Sequence, residues 1–105
     1  MASDTIRVRA TADAEGVTTL QLLMSHEMET GRRRGPDGDL IPAHFIQEVT
    51  CEHNGQVVAT AYFSGGVSRN PYLSLKFTGA KQGDSIRVSW TDNQGYDDSA
   101  EATIR

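Results

Sequence analysis

Cysteine is almost missing from this chain: Cys51 is the only one in 105 residues. A single thiol cannot close an internal disulfide or build a zinc cluster of several thiolates. It leaves a buried apolar thiol, a reactive thiol, or a bridge to another chain. Long apolar runs are missing too. None approaches the roughly 20 residues that a membrane helix needs, so no membrane contact is expected. The opening "MASDTIRVRATAD" has no hydrophobic signal core and, taken alone, points to the cytoplasm. There is no surplus of positive charge either. Lys and Arg number 10 against 14 Asp and Glu, a net charge of −4. That balance speaks against nucleic acid as a partner.

What is present is period-two alternation, with no long segment of helical period. "TIRVRATAD" puts Ile6, Val8 and Ala10 on one face and Arg7 and Arg9 on the other. After a turn at Glu15-Gly16, "VTTLQLLMSH" carries Leu20, Leu22 and Met24 in phase. Further on, Phe45, Val49 and Cys51 share a phase, as do Val57, Ala59, Ala61 and Phe63. Leu73, Leu75 and Phe77 form the next inward row, followed by Ile86, Val88 and Trp90, then Ala100, Ala102 and Ile104. Asn54-Gly55 is a strong two-residue hairpin signal, because both positions favour positive φ. Pro71 stands at a strand start, where its missing N–H does least harm. About seven strands with turns every 8–12 residues predict an immunoglobulin-like or fibronectin-like antiparallel β-sandwich. An apolar content of 37% suits a thin two-layer core in one domain, residues 1–105.

One stretch breaks the alternation. "SHEMETGRRRGPDGDLIP", Ser25 to Pro42, is a long loop with turn signals at Gly31, Gly35, Pro36 and Gly38. Long ordered loops on small domains often carry function. Met24, His26 and Met28 would share one strand face, and thioether with imidazole suits Cu(I); the simpler reading makes Met24 core. "HEMET" is no zinc-protease motif, since Thr30 stands where the second histidine belongs and no helix is indicated. Cys51, in phase with core residues, reads as a buried hydrophobe. Arg32, Arg33 and Arg34 could hold an anion or an acidic partner, or sit solvated at a loop tip. Tyr72, beside Asn70 and Pro71, is out of phase with Leu73 and offers contact material. No nucleophile has a general base within reach, so an enzyme is not expected.

Several spaced features together resemble the SoxZ family: "METG" at 28–31, "LIP" at 40–42, "TC" at 50–51, "NPYLS" at 70–74 and "WTDNQG" at 90–95. Family members usually read His-Pro-Met-Glu-Thr-Gly, and Glu27 here replaces the proline. That exchange loosens the strand exit after His26. The resemblance implies a small, non-catalytic subunit of the SoxYZ carrier of thiosulfate oxidation, with no cofactor. It implies a heterodimer with a SoxY-like chain that bears the carrier cysteine on a glycine-rich arm, and transient contact with other Sox enzymes. The sequence as given closes on "SAEATIR", without a Gly-Gly-Cys arm, in keeping with that division. The resemblance also implies the periplasm, reached by co-export with the partner, and possible self-association when alone. The expected partner interface is His26, Met28, Glu29, Thr30, Gly31, Arg32, Arg33, Arg34, Asn70, Pro71 and Tyr72. The competing reading is a stand-alone immunoglobulin-like module for copper or another protein.

Overall fold

The computed structural model describes residues 5–105. Its strands are β1 (Ile6–Ala12), β2 (Val17–Met24), β3 (Ile46–His53), β4 (Gln56–Tyr62), β5 (Tyr72–Thr78), β6 (Ser85–Asp92) and β7 (Asp97–Thr103). They form two antiparallel sheets, one in the order β1-β2-β5 and one in the order β4-β3-β6-β7. This is the expected β-sandwich, with the three-plus-four division of fibronectin-type domains.

Local chemistry makes the hairpins. Asp13 Oδ1 accepts the Glu15 and Val17 amides and folds the β1–β2 turn. Asn54 and Gly55 take φ of 48° and 86°, as a two-residue hairpin demands. Asn54 also exchanges hydrogen bonds with Ser85, its amide donating to the carbonyl and its Oδ1 accepting the amide. That locks the β3–β4 turn onto β6.

The core lies between the central strands of the two layers. Leu20, Leu22 and Met24 of β2 meet Val49 and Cys51 of β3 and Ile86, Val88 and Trp90 of β6. Each fully buried aliphatic side chain contributes about 1.5–3 kcal/mol. One long side of the sandwich is closed. Beyond β7, Arg105 donates to Ala10 O at 3.0 Å and Ala12 donates to Arg105 O at 2.8 Å, which ties the chain end to β1. The other side is open. There the inward residues Leu73, Leu75 and Phe77 of β5, and Ala59 and Ala61 of β4, are only half-buried.

Two register shifts correct the sequence reading. Ile46, not Phe45, opens the buried row of β3. Ile46 pairs with Asp92 and Glu48 with Thr91, so Gln47 is an extra residue that reverses the phase. On β4, Cys51 faces Ala59 but Glu52 faces Val57, leaving Val58 bulged and Val57 exposed rather than inward.

Thr18 is fully buried, and its hydroxyl has no hydrogen-bond partner among the described residues. An unpaired buried hydroxyl costs on the order of 1 kcal/mol. Thr18→Val, similar in shape, should therefore raise stability by about that amount in thermal or urea unfolding. A loss of similar size would mean that the hydroxyl is paired.

Candidate functional site

The strongest polar cluster sits at one end of the sandwich, where the 25–45 segment, the 63–71 segment and the β6–β7 turn converge. Asp92, the last residue of β6, anchors it. Its side chain is fully buried. Oδ1 accepts the amides of Gln94 and Tyr96, both at 2.9 Å, and so shapes the turn to β7. Oδ2 meets His26 Nε2 at 3.0 Å and His44 Nε2 at 2.7 Å. Burial opposes the charge on Asp92, but the hydrogen bonds from His26, Tyr96, His44 and Gln94 outweigh it and hold the carboxyl below its ordinary range.

The two histidines differ in role. His26 is clasped by Asn70, which accepts its amide through Oδ1 and donates its own amide to its carbonyl, each at 3.0 Å. His26 Nδ1 accepts the Met28 amide at 3.1 Å. The proton of a neutral His26 therefore lies on Nε2, directed at Asp92. His44 is held through its backbone, which exchanges hydrogen bonds with Glu29 at 2.7 and 2.9 Å. Its ring lies 4.6 Å from that of His26 and 5.8 Å from that of Tyr96, and its side chain is 25% exposed. The rings border an open cleft of about 480 Å³ with Trp90, Gln94, Tyr96, Asp97 and Asp98 on its walls.

His26, His44 and Asp92 bring their ligand atoms within 4.8 Å of one another, the kind of group that can hold a metal ion. Here the lone pairs of Asp92 are all engaged, two on each oxygen. A cation at His26 Nε2 would have to reverse its tautomer and break the Met28 bond. The trio is a hydrogen-bonded clasp. Nor do Met24, His26 and Met28 form a copper set: Met24 is core, and the Met28 sulfur accepts the Ile46 amide at 3.3 Å.

The structure sorts the expected interface residues. His26, Met28, Glu29 and Pro71 are buried within the chain. Thr30, Arg32, Arg33, Arg34, Asn70 and Tyr72 are exposed. Asn70 and Pro71 stand beside the exit of β2: the Pro71 carbonyl accepts the Met24 amide at 3.0 Å. Gly31 has φ +84°, and a Cβ there would lie 3.1 Å from Ala43 Cβ, so no larger residue fits without a shift. The three arginines do not act as one cluster. Arg33 pairs with Glu29, whose carboxyl it holds below the usual range against the effect of burial. Arg34 donates to Gly38 O at 2.7 Å. The Arg32 guanidinium makes no hydrogen bond among the described residues. Cys51 is buried, and burial pushes its thiol up to about 11.

His44 and Asp92 were not singled out as site residues by sequence. "DNQG" signals a turn begun by an Asx side chain, which could have drawn attention to Asp92. His44 carries no local signal.

The family model described as "Sulphur oxidation protein SoxZ" matches residues 6–103. No curated protein matches the chain. Among solved structures, a superoxide reductase (neelaredoxin) from Ignicoccus hospitalis is similar in fold, with a TM-score of 0.66 at 13% identity. The alignment covers 98% of this chain and 80% of that one, and at that identity it speaks to fold alone.

Because the folded-state pKa of Asp92 is depressed, its contribution is complete above the unfolded carboxylate pKa, about 4. It is lost as pH falls through the native value. Stability should decline through that acid range. Asp92→Asn should cost about 2 kcal/mol at neutral pH and flatten the acid decline. Urea unfolding at neutral and acid pH checks both, and an unaltered acid limb in the variant would remove Asp92 from this account.

Proposed function

Because this chain belongs to the SoxZ family of sulfur-oxidation proteins, we propose that it is the non-catalytic subunit of a SoxYZ sulfur carrier in thiosulfate oxidation. Its partner is a SoxY-like chain that bears the carrier cysteine. One observation within the chain carries this division of labour. The only thiol, Cys51, faces the core with its pKa raised to about 11. A sulfur carrier needs an exposed thiol with thiolate character, so the working thiol belongs to another chain.

The fold supports a subunit role. The side of the sandwich flanked by β4 and β5 leaves inward apolar residues half-covered. Edge strands of monomers are commonly guarded by charge. Here β4 has no charged residue in QVVATAY, and β5 has only Lys76 in YLSLKFT. Exposed Val57, Tyr62 and Tyr72 lie on these two strands. Such a border suits a partner that completes the sandwich. The loop from Thr30 to Arg34, stiffened by Glu29–Arg33 and by Gly31 against Ala43, is the docking element for other Sox enzymes. Among the described residues, Arg32 is its uncommitted cation. The complex works in the periplasm, and this chain travels there bound to its partner.

Co-expression with the SoxY-like chain, followed by size exclusion and intact mass, should return a one-to-one complex whose sulfur adduct sits on the partner. A stable monomer that ignores the partner would refute the reading. Arg32→Glu should weaken productive encounter with a Sox enzyme at low salt and lose its effect at high salt. Kinetics that match wild type at both salts would remove Arg32 from docking.

A further inference from the structure

We infer that the cleft beside His44 receives the thiol of the partner's carrier cysteine, and that His44 is the proton acceptor for that thiol. This rests on the SoxYZ reading above and names a task for this chain within it.

A carboxylate only accepts hydrogen bonds. Asp92 Oδ2 lies 2.7 Å from His44 Nε2, so Nε2 carries the proton of a neutral His44. The lone pair is then on Nδ1, which no polar group among the described residues engages. His26 shares the same carboxylate but cannot serve: its Nδ1 is spent on the Met28 amide and its side chain is 4% exposed. The clasp therefore presents one base to the cleft. When His44 takes a proton, the imidazolium stays paired with Asp92, a carboxylate already ionised and fully hydrogen-bonded.

Rings and acids surround that pair. His26 and Tyr96 flank the His44 ring, and Asp97 and Asp98 also line the cleft. Glu29, bridged to His44 through the backbone, is engaged by Arg33. The acids of the cleft disfavour a bare anion there. A neutral thiol that enters and gives up its proton forms a compensated pair. The step moves one proton from sulfur to Nδ1 and involves no oxidation. It leaves a thiolate, the form that attacks sulfur. The cleft is open and partly walled by Trp90 and Tyr96, which suits a slim segment carrying a thiol.

The test is iodoacetamide alkylation of the carrier thiol against pH in the complex, read by intact mass of the partner. Buried Cys51 stays silent. In the wild-type complex the thiol should titrate below its ordinary value of about 8.5. His44→Gln keeps an N–H toward Asp92 but has no base. It should slow alkylation at neutral pH about tenfold and move the profile up by about one unit. His53→Gln makes the same change beside Asp84, at the other end of β3, and should leave the profile unaltered. Complex formation and melting temperature are checked for each variant. A His44→Gln complex with the wild-type profile overturns this inference and leaves the carrier reading standing, as does an equal shift from His53→Gln. A wild-type chain that forms no complex takes both down.

Discussion

A carboxylate cannot be buried cheaply. The Asp92 side chain has no exposure, and a lone ionised group in such a place would cost far more than a small domain can bear. Four hydrogen bonds resolve the problem, and each comes from a different residue: His26, His44, Gln94 and Tyr96. These residues lie on three stretches of chain that are far apart in sequence. Satisfying one carboxylate therefore fixes the exit from β2, the entry to β3 and the turn into β7 at once. A buried network of this kind is stable only when complete, which makes the end of the sandwich one cooperative unit.

That unit explains the strain in the loop it anchors. Met28 adopts φ +52°, unusual for a residue with a long side chain. Its amide is held by His26, its sulfur accepts the Ile46 amide, and the Glu29–His44 bridge follows directly. The backbone cost is met by these bonds, as expected where a structure over-determines a strained residue. Glu27, in place of the family's usual proline, is exposed and outside this network. The clasp, rather than a rigid residue at position 27, holds the loop.

Much of the fold was legible in the sequence because alternation reports directly on a half-buried strand. Strand number, the Asn54-Gly55 hairpin and the burial of Cys51 all follow from local pattern. The two errors of phase, at Phe45 and Val57, come from bulges. A bulge inserts one residue without altering composition, and its cue is the pairing of another strand. The site was only half legible for a similar reason. His26 stands in a conspicuous motif, but its partners lie 18 residues away at His44 and 66 away at Asp92. Alternation and turn signals do not extend over such spans. The arginine run misled in the opposite direction: three adjacent residues looked like one feature, yet Arg33 turns to Glu29, Arg34 to Gly38, and Arg32 to neither.

The two ends of β3 show why geometry must be added to residue type. His53 meets Asp84 at 2.7 Å, just as His44 meets Asp92. Asp84 also accepts the Lys81 amide through the same oxygen, and it shapes the β5–β6 turn much as Asp92 shapes the β6–β7 turn. Both pairs close a loop onto a strand. Asp92 differs in gathering two histidines, one locked inside and one at the wall of a cleft. The locked ring supplies rigidity, and the wall ring is a quarter exposed, with no polar partner at Nδ1 among the described residues. A β-sandwich without a usable thiol of its own can thereby still contribute to thiol chemistry. In the proposed carrier it would do so by holding a base in place while another chain brings the sulfur.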